Sequence, residues 1–359
     1  PGVPGTDNFS SSPLSRCIYR VLERLRQGDD KVFTPHVVSI GLLHHGNERL
    51  KVIEVHNKRY LRDFLERSQL SVEDYPEKVK KQEQKLRSSY EEAIVFTSDQ
   101  FVEMVLVDAA FIIELLVKSS FRRFRNEEDC TCSKPWRVCD VLSDLWMLEY
   151  QLSLCILDDL FDANNYFEST DKLSIISLSY LLLNFKKYDE KTKELKEIEE
   201  LFSGRERHQF VDLIRTQNYS LQNAISKVGR SQSLFEMQFD RHHGIFTIPK
   251  LRINDFAEMF IKNAIAYEQC HYKDEIYVMN TPRDVKLLVE NGIVEHGLGE
   301  EEQVAALFNR IAKGVDIKSN CFLEVCNDLN KILPKSLEQM EGNWKQNIST
   351  RLGQLFLSL

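Results

Sequence analysis

The apolar positions of this chain mostly recur with helical period. Leu50, Ile53, Tyr60, Leu61, Phe64 and Leu65 fall on one helical face. Residues 77–92 are dense in charge and predict a helix with a wide solvated face. The stretch from Phe101 to Val117 is apolar almost all round, so it predicts a central core helix, with Thr97 and Gln100 at capping-box spacing before it. Helical patterns also cover 140–161, 171–186 and 205–227. Around 234–248 the period shifts to two on either side of Asp240-Arg241-His242-His243-Gly244, which predicts a β-hairpin. Beyond it, Asp255 and Glu258 have capping-box spacing ahead of a helix with Met259, Phe260, Ala264 and Tyr267. A short helix runs from Thr281-Pro282 to Asn291-Gly292, and Val304, Leu307, Phe308, Ile311 and Val315 form a last stripe. The expected fold class is therefore mostly α, a multi-helix globular domain with one small hairpin.

Residues 1–15 are rich in Gly, Pro and Ser and are expected to be a disordered tail. The helical domain is expected over 16–315, as one unit or two tightly packed halves, followed by a C-terminal segment over 316–359. Composition narrows the function classes. With 42% hydrophobic and 28% charged residues the chain reads as globular, and a net charge of -8 argues against a nucleic-acid partner. Phe101–Val117 lies at the short limit for a membrane span and carries Glu103, Asp108 and Glu114. The eight cysteines are dispersed, which fits a reducing, cytoplasmic setting rather than a disulfide scaffold. No cofactor is expected.

Three clusters could carry chemistry, and each has a plainer reading. Asp158, Asp159 and Asp162 have the DDxxD spacing with which helical carboxylates hold Mg²⁺ against a diphosphate; the plainer reading is the acidic end of a helix. Cys130, Cys132 and Cys139 could ligate zinc, although C-x-C is short for a structural site and a loop of free thiols is simpler. His44 and His45, followed by Gly46, could supply a general base or merely form a turn. Glu149 sits among apolar residues. If buried it needs a cation, and Arg215 and Arg252 are the candidates, giving a structural polar network. No G-x-S-x-G, P-loop, G-x-G-x-x-G or H-E-x-x-H pattern occurs.

Five blocks in order resemble the plant family called domain of unknown function 247. The first is Cys17–Val21 with Phe33-Thr34-Pro35, Val37–Gly41 and His44-His45-Gly46; the second is Asp144-Leu145 with Leu148–Leu152. His208–Arg215 is the third, Ile248–Ile253 through Ala266–Cys270 the fourth, and Asp284–Leu288 with Gly292-Ile293 and Val304–Asn309 the last. The chain departs from the family pattern at Leu22, Leu42 and Ser153, where proline is usual, and at Tyr150, where asparagine is. The resemblance implies no established enzyme activity. Some grass members are associated with pollen-side self-incompatibility, so it implies a recognition or signalling role with a protein partner. It also implies a C-terminal membrane anchor. The final residues 353–359 are too short to span a bilayer, so membrane contact is expected only through an anchor absent from this chain. The runner-up is a metal-dependent enzyme acting on a diphosphate through the Asp158-Asp159-Asp162 cluster.

Overall fold

Helices dominate the computed structural model. It describes residues 18–43, 51–67, 71–167, 173–183, 195–200, 238–247, 251–253, 256–271, 289 and 294–314, apart from short gaps within these ranges. The chain divides into two compact units. One comprises Pro1–Arg20 with Thr34–Leu213, and the other Val21–Phe33 with Ile214–Leu359.

The first unit is built around one long helix. Its elements are α2 (Lys51–Arg67), α3 (Asp74–Ser88), α4 (Ser98–Ser120), α5 (Pro135–Leu145), α6 (Leu154–Leu160) and α7 (Ile175–Leu183). Helix α4 packs against α2, α3, α6 and α7, as its nearly continuous apolar surface requires. The predicted capping box forms. Gln100 N–H donates to Thr97 Oγ1 at 3.3 Å, and Thr97 N–H to Gln100 Oε1 at 3.1 Å. At the other end, the Arg125 guanidinium donates to the carbonyls of Lys118 and Ser119 at 2.6 and 2.9 Å, satisfying acceptors that the last turn leaves open.

The single helix expected over 140–161 is two helices, α5 and α6, with an irregular stretch between them. The break has a physical reason. The buried Gln151 amide turns back and donates to Leu145 O at 2.8 Å and Met147 O at 2.6 Å, taking over acceptors at the end of α5. The helix expected over 77–92 lies at Asp74–Ser88. Residues 205–227 and 281–288 lie outside the described residues, as does the tail over 1–15.

In the second unit, α1 (Glu23–Arg26) and a 3₁₀ turn (Asp30–Phe33) accompany α8 (Ala257–His271) and α9 (Glu301–Ala312). The expected hairpin is present: β1 (Gln238–Asp240) pairs antiparallel with β2 (Ile245–Thr247). A pair that the sequence did not suggest joins β3 (Leu251–Ile253) to β4 (Val294–His296) in parallel, with Leu251 opposite Val294. Ile253, Ile261, Ile265, Val294, Val304 and Phe308 share a core. Lys262, almost wholly buried, is ion-paired with Asp29 and lies 3.4 Å from Glu258. Gly314, just past α9, has φ +80°, and a Cβ there would come within 2.1 Å of the Arg24 carbonyl oxygen. Only glycine fits both the dihedral and the space.

Glu258 also receives Nε and Nη2 of Arg310 at 2.8 and 2.7 Å. Burial alone pushes its carboxyl up, but Arg310 and Lys262 outweigh that and hold it below the ordinary 4.5. Between the folded and unfolded values the unfolded chain binds more protons, so stability rises with pH there. The contribution is complete above 4.5 and is lost as pH falls through the lower folded value. Glu258→Gln is therefore expected to flatten the acid limb of a melting-temperature-versus-pH profile. An unchanged acid limb would show that this triad contributes nothing.

Candidate functional site

Two polar constructions organise the first unit, both rooted in α4. The first lies at the C-terminal half of that helix. Lys118 has no exposed side-chain surface and is ion-paired with Asp63 of α2. It also lies 3.8 Å from Glu114 and 3.6 Å from Asp129, with the Tyr60 ring centroid 4.1 Å from its ammonium. Glu114, equally buried, accepts from Arg67 at 2.5 Å and from the Tyr166 hydroxyl at 2.9 Å. Asp129 Oδ1 accepts from the Tyr60 hydroxyl at 3.0 Å and from the backbone N–H of Thr131 and Cys132 at 3.0 and 2.8 Å. One ammonium, one guanidinium and three carboxylates thus compensate one another in the core.

The electrostatics favour structure over reactivity. Burial pushes the Glu114 carboxyl up, and Arg67, Lys118 and Tyr166 only partly offset this. Burial also drives the hydroxyls of Tyr60 and Tyr166 far up, so both remain donors. The Cys132 thiol is raised by burial and by Asp129, which keeps it from the thiolate form a nucleophile or metal ligand needs.

The second construction holds the segment from His36 to Gly41. Asp144 of α5 accepts three consecutive backbone N–H groups, those of His36, Val37 and Val38, at 2.9, 2.7 and 2.8 Å. Asp108 of α4 accepts the N–H of Gly41 at 2.8 Å. Gly41 has φ +77°, and a Cβ there would lie 2.8 Å from Gln151 O. The segment is consequently irregular chain fastened by carboxylates rather than a strand. Asp144→Ala would strand the three donors, two of them only partly buried, and is expected to destabilise by about 2–4 kcal/mol in urea unfolding. A loss below about 0.5 kcal/mol would mean that water replaces the carboxylate without cost.

The residues singled out from the sequence fall as follows. Glu149 is buried, with Arg20 Nη1 at 3.9 Å, and Arg20 also makes a two-pronged contact with Glu92 at 2.6 and 2.9 Å. Arg215 lies outside the described residues, and of Arg252 only the backbone, in β3, is described. Asp158, Asp159 and Asp162 follow one another across the end of α6. There Asp159 accepts from Gln82 and Asp162 caps a 3₁₀ turn by accepting Asn164 N–H at 2.9 Å. Cys132 is buried beneath Tyr60 and Ser119, each 3.5 Å away, while Cys139 lies on α5 and Cys130 is outside the described residues. Among the described residues no three His, Cys, Asp or Glu side chains are grouped as a metal ion would need. His44, His45 and Gly46 lie outside the described residues. Sequence reasoning missed Lys118, Arg67 and Asp144. The available signal for Lys118 was its place four residues after Glu114 in an otherwise apolar run.

One surface residue stands apart. Trp136, at the start of α5, is 57% exposed. Pro135 precedes it in the first turn, where its fixed φ suits the helix. Lys134 Nζ and the Arg137 guanidinium carbon lie 5.8 and 5.2 Å from its ring. Among the described residues no helix is long and apolar enough to cross a membrane.

Comparison with known proteins finds relatives in Arabidopsis thaliana. The chain is 28% identical to the UPF0481 protein At3g47200 of Arabidopsis thaliana, over 85% of its own length and 74% of the relative's. A second UPF0481 protein of that plant, At3g02645, is 28% identical over 46% of this chain and 30% of its own length. No solved structure matches the chain. The first two blocks, more than a hundred residues apart, meet where Asp144 accepts the amides of His36, Val37 and Val38 and where the Gln151 backbone lies close to Gly41. Parts of the fourth and fifth meet in the core shared by Ile253, Val304 and Phe308. The model of the family described as plant protein of unknown function, domain of unknown function 247, matches residues 18–228 and 219–353, and the chain belongs to that family.

Proposed function

We propose that this protein is a protein–protein recognition module. The observation that supports this reading is Trp136, a large aromatic side chain more than half exposed and held on the first turn of a helix. Tryptophan and arginine are enriched among the residues that dominate binding energy at protein interfaces, because a rigid ring offers much contact area for little conformational entropy. The interior fits a scaffold role. Its buried ions compensate one another, which fixes α2, α4 and the chain after them.

The test is comparative capture. Full-length protein and its Trp136→Ala variant would be immobilised and incubated with extract from the source plant, and retained proteins quantified. The expected result is a partner retained by the wild type, depleted at least about tenfold by the substitution, and able to capture the wild type in the reciprocal experiment. Identical sets on both surfaces would sink the reading.

A further inference from the structure

We infer that the buried ion cluster joining α2 to α4 is a proton-operated fastening: the folded protein keeps one of its carboxyls protonated at neutral pH, and α2 loosens from α4 when that proton leaves. The charges of the cluster do not balance. Asp63, Glu114 and Asp129 bring three acids, whereas Lys118 and Arg67 bring two cations. The side chains of Glu114, Lys118 and Asp129 have no exposed surface, so a surplus negative charge there is not relieved by water. Burial keeps Tyr60, Tyr166 and Cys132 neutral. Arg125 acts on Cys132, but its guanidinium is turned to the carbonyls of Lys118 and Ser119 and offsets the negative end of α4. On α3, Tyr75 acts on Tyr166, Glu83 pairs with Arg87 and Lys78 reaches the Asp159 carbonyl. The acids of α6 are Asp158 and Asp159, the latter accepting from Gln82, and α7 carries Tyr180.

Two acids compete for the proton. Asp129 Oδ1 collects three donors, while its Oδ2 is buried with no hydrogen-bond partner, a poor setting for an ionised group. Glu114 has a donor on each oxygen, yet burial still pushes its carboxyl up. Groups this close titrate together, so the proton belongs to the set. Asp63 and Arg67, both on α2, retain 12% and 23% exposure. Once the proton is gone, turning these two toward water is the most direct relief, and that lifts the last turn of α2. A carboxyl held above its ordinary value is protonated in the folded chain where the unfolded chain has already lost its proton. Its contribution to stability is present at acid pH and is lost as pH rises through the folded value, the reverse of Glu258 in the other unit.

Infrared spectroscopy of the folded full chain in heavy water reads the proton without any substitution. The carbonyl band of a protonated carboxyl is expected at neutral pH and should fade as pH is raised. Glu114→Gln and Asp129→Asn each bring the count to two acids and two cations, so either one should abolish the band. Calorimetry in buffers of different ionisation enthalpy supplies the second readout. Unfolding the wild type at neutral pH should release about one proton more than unfolding either variant, and Glu258→Gln should release as many as the wild type. Amide exchange over Asp63–Arg67, corrected for the intrinsic effect of pH, should quicken in the wild type as the band fades. No band at neutral pH, or equal proton release by the wild type and both variants, would overturn the inference. A band that persists in either variant would do so too, because the proton would not answer to the balance of charge. A proton that leaves without any change in exchange of the last turn of α2 would overturn the fastening.

Discussion

Replacing Lys118 by methionine is expected to lower the unfolding free energy by about 3–5 kcal/mol. Methionine keeps most of the volume, so the loss reports charge rather than a cavity. The substitution removes the cation that neutralises Asp63, Glu114 and Asp129 together. Glu114 would retain Arg67 and Tyr166. Asp129 would be worse placed, because its Oδ2 is buried with no hydrogen-bond partner and Lys118 is the cation beside it. Adding Asp129→Asn should therefore recover part of the loss, and the two substitutions should be clearly non-additive. Urea midpoints for the two single variants and the double variant measure this directly. Additive effects within about 0.5 kcal/mol would mean that the two groups do not interact.

Phe111→Ala should cost a similar about 3–5 kcal/mol by a different route. Phe111 has no exposed surface, lies midway along α4, and its ring centroid is 5.0 Å from that of Tyr60 on α2. Truncation removes apolar burial and leaves a cavity between helices that are held at both ends. It also loosens the wall against which the Tyr60 hydroxyl donates to Asp129, so the core and the ion cluster should weaken together. Phe111→Leu should recover much of the loss by refilling the space. A cost under about 1 kcal/mol for the alanine variant would place the core elsewhere.

Helix α4 was the most legible element, because an apolar run and a capping box say the same thing at two levels. The hairpin was legible from a local change of period. The pairing of β3 with β4 was not, since parallel strands are joined by a long crossover rather than by a tight turn that would mark them as neighbours. Over 140–161 apolar periodicity continued through a break made by one amide, that of Gln151, whose targets cannot be read from spacing. The polar sites follow the same division. That a buried Glu149 needs a cation follows from desolvation; Arg20, which lies 3.9 Å away, was not among the candidates, while Arg215 and the Arg252 side chain lie outside the described residues. Asp144 looked like an ordinary helix residue, and its three acceptor contacts exist only because a segment over a hundred positions earlier is brought to it.

The division of the chain has a consequence for synthesis on the ribosome. Val21–Phe33 belongs with residues from Ile214 onward, although Thr34–Leu213 forms the other unit. The partner of Asp29 is Lys262, which is 233 residues later. At translation speeds of roughly 5–20 residues per second, Asp29 emerges roughly 10–50 s before Lys262 exists. During that wait Val21, Leu25 and Phe33, all buried in the finished protein, have no native core to enter. A nascent chain stopped near Leu213 would hold its first unit complete and an orphaned apolar stretch inside it. The early stretch is thus where a chaperone would be expected to bind the growing polypeptide, and release from it would wait on α8.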